Sequence, residues 1–292
     1  MIPAAYIQEW SATAPWPTSQ QVEQDLIISR ALCDLFNAPA LAGKIAFRGG
    51  TAIHKLLFDK PLRYSEDIDL VQTKAEQIGA TVDAIREALS WLGQCKREQA
   101  AHSTHLVFRF APESQPETAL KLKVEINTRE HECVLGLRQY PLAVKNGWYQ
   151  ATADVTSFAP EEIFATKLRA LLQRRKSRDL FDLDKGLRDL SMSTETLLRC
   201  FDHYLALEGK PITRAMAEQR MLEKLTHSIT EDIGPLLPTG IHFSEGDAVA
   251  AFENIWNELI AGMKGDPWKQ TDRAIQELRQ RKYPHLRPTT GA

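Results

Sequence analysis

FRGGTAIHKLLFDKPLRYSEDIDLV, residues 47–71, is the stretch that decides the fold. It sets a glycine pair, Gly49-Gly50, shortly before a tight acidic cluster, Glu66, Asp67 and Asp69, with apolar residues on both sides of each. KIAF (44–47) predicts a short strand that stops at the glycines. TAIHKLLF (51–58) predicts a helix opened by Thr51 as N-cap or first-turn residue. DIDLV (67–71) alternates polar and apolar residues and predicts a second strand. Alternate side chains of a strand share one face, so Asp67 and Asp69 point one way while Ile68 and Leu70 point into the core. Two carboxylates side by side repel, and the pair is costly unless a cation sits between them. Such oxygen donors suit Mg2+, which keeps waters and phosphate oxygens in its remaining positions. The plainer alternative is a solvated edge pair. A strand that ends in Gly-Gly and enters a helix also presents backbone N–H groups at the helix start, and glycine lets a phosphate come close.

Outward from this stretch, QQVEQDLIISRALCDLF (20–36) and AEQIGATVDAIREALSWL (75–92) carry apolar residues at helical spacing. THLVFRF (104–110) and ALKLKVEIN (119–127) predict strands joined through the turn-rich PESQPE, and shorter strands are expected near 140–144 and 148–156. In KLKVEIN, Lys121, Lys123 and Glu125 share one face and Leu122, Val124 and Ile126 the other. Glu125 is therefore either a third functional carboxylate or part of an exposed face with balanced charges. From Pro160 the periodicity is helical, beginning with PEEIFATKLRALLQRR (160–175), where a proline and two acids favour a helix start. The expected architecture is α+β (α/β): a mixed sheet with flanking helices over residues 1–157, then an all-helical region over 158–292. The tail YPHLRPTTGA is expected to be loose.

A chain of 292 residues with 43% hydrophobic and 25% charged residues can build one large or two ordinary domains. Its formal charge of −2 means that any nucleic-acid binding must rest on local patches. One such patch is KLRALLQRRKSR (167–178), with six basic residues and no acid in twelve positions. It suits NTP phosphates or an RNA backbone, or else a solvated helix face. Asp179 and Asp182 follow at i, i+3 and share a helix face. No apolar run approaches the ~20 residues of a membrane span, and no secretory leader or membrane partner is expected. The four cysteines include no CxxC pair, which predicts reduced structural thiols and a cytoplasmic location. His54, His102, His105 and His131 lack metal-ligand spacing and read as packing or surface residues. Trp10, Trp16 and Trp148 read as core or interdomain anchors. Arg63 either orients a phosphate or pairs with Glu66 at the surface, and Ser65 shares the face of Asp67.

A Gly-Gly turn opening a helix, a DxD strand and a later strand acid together resemble the nucleotidyltransferase superfold of polymerase β type. FRGGTAIHKLL, RYSEDIDL, KVEIN and FAPEEIFATKLRALLQRRKSRDLFDL (158–183) resemble, in order, the motifs of the AbiEii/MenT nucleotidyltransferase toxins. The resemblance implies a toxin of a toxin–antitoxin system that transfers nucleotides from an NTP to the 3′ end of tRNA, with Mg2+ (or Mn2+) as cofactor. It implies that Asp67 and Asp69 hold the metal and triphosphate, with Glu125 completing the metal site or acting as base. Gly49, Gly50, Thr51, Ser65 and Arg178 would bind the nucleotide. Lys167 would neutralise phosphate charge, and Asp182 or Asp179 would supply the final functional aspartate. A cognate antitoxin follows from the same resemblance, acting by direct contact or otherwise. Two alternatives stand beside it: transfer to a small-molecule or protein acceptor, and a non-catalytic NTP- or RNA-binding module.

Overall fold

The DIDL alternation forms the middle of a seven-stranded mixed sheet. The computed structural model describes residues 2–100, 103–113, 117 and 119–288. The chain divides into two compact units, Met1–Ala159 with Leu236–Ile241, and Pro160–Pro235 with His242–Ala292. His102 and part of the turn PESQPE lie outside the described residues.

In the first unit the strands are β1 (Ile45–Arg48), β2 (Asp67–Gln72), β3 (Cys95–Gln99), β4 (Ser103–Phe110), β5 (Leu120–Asn127), β6 (Arg138–Lys145) and β7 (Gln150–Ser157). Their order is β3-β4-β5-β2-β1-β7-β6. β2 runs antiparallel to β1 and parallel to β5, and β1 runs parallel to β7. Helices α1 (Ala4–Trp10) and α2 (Ser19–Asn37) precede the sheet. α2 starts at Thr18, whose hydroxyl accepts from the Gln21 amide while the Gln21 side chain accepts from the Thr18 amide, which satisfies two donors of the first turn. Its apolar stripe, including Leu26, Ile28, Leu32 and Leu35, is fully buried with the inward strand residues Phe47, Ile68, Leu106, Val124 and Val155.

The helix expected over 51–58 begins at the glycines as α3 (Gly49–Ala52) and widens at once into a π-turn, Ile53–Leu57. α4 (Gly79–Ala88) is shorter than the expected 75–92 because the chain turns into a 3-10 segment, Ser90–Leu92. Two elements carried no clear sequence signal: α1, and the polar edge strand β3.

The second unit is helical: α5 (Pro160–Gln173), α6 (Ser177–Asp189), α7 (Thr194–Glu208), α8 (Arg214–Leu225), α9 (Glu245–Ile255) and α10 (Thr271–Arg281). Ser193, Thr213 and Ser244 cap α7, α8 and α9 through their hydroxyls. Phe164, Leu168, Phe201, Tyr204, Phe252 and Trp256 form its buried centre. Gly186 permits the close approach of α5 and α6, because a Cβ there would stand 2.3 Å from the Phe164 ring. The tail is less loose than expected. Tyr283 and Leu286 are buried, and the Leu286 carbonyl accepts from Arg279 Nε at 2.7 Å; residues 289–292 lie outside the described set.

Candidate active site

The register of three neighbouring strands assembles the charged face of the first unit. Arg48 lies opposite Asp69 on the β1–β2 pair, Asp69 opposite Glu125 on the β2–β5 pair, and Asp67 opposite Lys123 one step along. Ile68, Leu70, Val124 and Ile126 are buried on the other face, as the alternation predicts. Lys123 Nζ stands 3.1 Å from Asp67 Oδ2 and 3.2 Å from Glu125 Oε2. Across β4, His105 Nε2 lies 3.4 Å from Glu125 Oε2 and 2.8 Å from Ser103 Oγ. His105 is thus part of this cluster, which its sequence neighbours did not signal; the β4–β5 pairing that puts it opposite Glu125 is the relevant information. Arg48 is drawn to one side by Glu130 at 2.7 Å.

These neighbours divide the carboxylates. Burial and then the like charges of Asp67 and Glu125 push the Asp69 carboxyl above its ordinary range, against Lys123 and Arg48. Burial would also raise Glu125, but the Lys123 ammonium outweighs it and, with His105 and Ser103, holds Glu125 below the usual range. Lys123 is raised in turn: burial opposes its charge, and Asp67 and Glu125 overcome that opposition.

The glycine turn is built against Asp69. Gly49 has φ +85°, and a Cβ there would lie 2.1 Å from Asp69 Oδ2. At Gly50 a Cβ would lie 2.6 Å from Arg63 Nη2. Arg63 is only 2% exposed and donates to the Tyr64 carbonyl at 2.9 Å, so it is an interior group and not the surface contact considered from sequence. Thr51 is buried as well, with Oγ1 2.8 Å from Ser65 Oγ and 2.5 Å from the Asp67 carbonyl. The carbonyl can only accept, so the Thr51 proton goes to it and Ser65 donates to Thr51. The Thr51 side chain therefore fixes the start of β2, and its backbone amide is what remains for a ligand. Gln24, buried on α2, donates to the carbonyls of Glu66 (3.3 Å) and Lys121 (3.1 Å) and ties the beginnings of β2 and β5 together.

Among the described residues no three His, Cys, Asp or Glu side chains converge closely enough to hold a metal ion. Asp67, Asp69 and Glu125, expected as a metal set, are brought onto adjacent strands, with Lys123 between Asp67 and Glu125. The donor chemistry still fits a hard divalent cation. Asp67 and Asp69 offer carboxylate oxygens on one face, and the repulsion that raises Asp69 is one that such a cation relieves.

In the second unit, Lys167 on α5 meets Asp179 and Asp182 of α6. Its Nζ is 3.2 Å from Asp179 Oδ1 and 2.8 Å from Asp182 Oδ2. Arg174 grips Asp179 with Nε at 2.7 Å and Nη2 at 2.8 Å. Lys167 is 6% exposed and both aspartates are fully buried. Burial would raise Asp179, but Lys167 and Arg174 prevail and hold it below the ordinary carboxylate range. The basic run is thus less uniform than its composition suggests. Lys167 and Arg174 serve this cluster, and Arg169 pairs with Glu208 at 3.1 Å. Arg175, Lys176 and the half-buried Arg178 form no ion pair among the described residues.

A mixed sheet whose glycine turn abuts a two-aspartate strand defines a nucleotidyltransferase-like architecture, and known structures share it. MenT4, a nucleotidyltransferase toxin from Mycobacterium tuberculosis H37Rv, superimposes with a TM-score of 0.63 over 96% of each chain at 16% identity. JHP933 from Helicobacter pylori gives 0.53 over 90% of this chain and 98% of its own, also at 16% identity. At such identity the likeness establishes the fold. A family model described as nucleotidyl transferase AbiEii toxin, type IV toxin–antitoxin system, matches residues 30–264, and the chain belongs to that family. No curated protein matches the sequence.

Proposed function

We propose that this chain is a Mg2+-dependent nucleotidyltransferase toxin that moves nucleotides from an NTP to the 3′ end of tRNA, acting in the cytoplasm to stop translation. The observation that carries the proposal is the packing of Gly49 against Asp69, which sets a glycine turn suited to phosphate beside two strand carboxylates. Asp67 and Asp69 would hold the metal, with Glu125 beside them. When bound, the metal neutralises phosphate charge during transfer. The first amides of α3, at Gly49, Gly50 and Thr51, lack partners within their own helix by geometry and are suited to phosphate oxygens. The acceptor hydroxyl attacks the α-phosphorus, the bond to pyrophosphate breaks, and the hydroxyl proton needs a base. Glu125, held ionised by Lys123, is the candidate. Ser65 and Arg178 are assigned to nucleotide binding, and Lys167 with Asp182 to the catalytic set. Family membership brings a cognate antitoxin as the expected partner.

The test is label transfer. Purified protein is incubated with Mg2+, total tRNA and each radiolabelled NTP, beside Asp69→Ala and Lys167→Ala. Label on tRNA that is lost in both variants and with chelator is the expected result. Label on protein or on a small molecule would move the acceptor to one of those classes. Intact NTP binding without any transfer would make the chain a binding module.

A further inference from the structure

The second unit holds a shallow depression of about 40 Å3, open to solvent, between the α5–α6 link, the end of α8 and α9. It is lined by the apolar Leu180 and Phe252, nearly fully buried beneath it, and by three cations, Arg175 and Lys176 from the link and Lys224 from the end of α8, with the His227 imidazole beside them. None of these four forms an ion pair among the described residues. Lys224 Nζ instead donates to the Arg174 carbonyl at 2.6 Å. Asp232 lies near this rim in the fold, and its carboxylate accepts the Ser177 amide at 2.8 Å.

Cations gathered with few counter-charges around an apolar floor cost stability, and an anion relieves that cost. At Lys224 the largest cost is burial, and the neighbouring arginines add to it. Burial, together with Arg175, Arg174 and Arg220, pushes its ammonium down to about 8 even though Asp179 favours the charge. The three cations come from two separate segments, which suits more than one phosphate. The floor between them suits the apolar body of a base.

We propose that this depression binds single-stranded RNA, with a base on the apolar floor and neighbouring phosphodiesters on Arg175 and Lys176 and on Lys224 and His227. The inference deepens the proposed function, because the bound strand would belong to the acceptor. Its test is therefore run without NTP and in chelator, where a failure of transfer has no bearing.

A fluorescein-labelled short single-stranded RNA is titrated with the full chain at several salt concentrations and read by polarisation. Arg175→Gln and Lys224→Gln are each expected to weaken binding about three- to tenfold and to lower the slope of log affinity against log salt by about one. Arg175 is exposed, so its variant tests the site even if Lys224→Gln disturbs folding. Unchanged affinity and slope in Arg175→Gln would overturn the proposal. AMP is the competitor. Displacement of the RNA by AMP at equal nucleotide concentration would make this a mononucleotide pocket and would also overturn it; weak displacement is expected.

Discussion

Gly49 and Asp69 compete for the same space: a Cβ on one would stand 2.1 Å from the carboxylate oxygen of the other. The glycine thus answers two demands, a backbone at φ +85° and room for the carboxylate. Gly43 separates them, since it has φ +68° and nothing within 4 Å of its would-be Cβ. Alanine at either position costs about 1–2 kcal/mol of backbone strain. Only Gly49→Ala also displaces Asp69, and a misplacement of this order lowers transfer by about 100-fold. Gly43→Ala is expected to transfer at the wild-type rate. Initial rates and unfolding curves on both variants decide it. Equal rates would mean that the Asp69 position does not govern the reaction.

Thr51 holds the first residue of β2 through its hydroxyl. Thr51→Val keeps the shape but removes the donor to the Asp67 carbonyl and the acceptor of the Ser65 hydroxyl, both part-buried, at a cost of about 1–3 kcal/mol. Thr51→Ser restores the bond. The expected pattern is a fall in kcat with little change in KM for valine, and recovery for serine. A valine variant with unchanged kcat would limit Thr51 to stability.

The face of each strand was legible because its period is two: Asp67 and Asp69 on one side and Ile68 and Leu70 on the other follow from DIDL alone. What stands beside them was not. His105 reaches Glu125, and Lys123 reaches Asp67, only through strand register, and register is set by tertiary packing across the whole sheet. β3, CKREQ, escaped notice because it lies at the sheet edge, where exposure removes the apolar alternation. The basic run is a different case. Composition shows six cations and no acid there, and only the packing of α6 reveals that Lys167 has Asp179 and Asp182 as partners. Leu236–Ile241 cluster with the first unit although they lie within the helical half, and nothing local marks them for it.

Lys123 already supplies Asp67 and Glu125 with a positive charge, and a divalent cation would have to share or displace it. Lys123→Met is expected to bind Mn2+ about tenfold more tightly, a gain of about 1.4 kcal/mol. It should also be less stable than the wild type in chelator, because three neighbouring carboxylates lose a counter-charge. Thermal unfolding with and without metal shows both effects. An equal metal-induced shift in the two proteins would mean that the lysine does not compete.

Asp179 is expected to make the second unit acid-sensitive. Its carboxyl is held below the ordinary range in the folded protein, so folding favours the ionised form. That contribution is complete above the unfolded value of about 3.9 and drains away as pH falls through the lower folded value. Asp179→Asn removes the charge and leaves Arg174 facing a neutral group, while Lys167 keeps Asp182. At pH 7 the variant should be less stable by about 3 kcal/mol, the low end for breaking a buried pair. As pH falls below about 4, the wild type should lose this advantage and the two stabilities should converge. Denaturant unfolding from pH 7 to 2 gives both curves. If they run parallel, another carboxylate carries the acid sensitivity; if they converge, the Lys167–Asp179–Arg174 cluster is held together by charge at neutral pH.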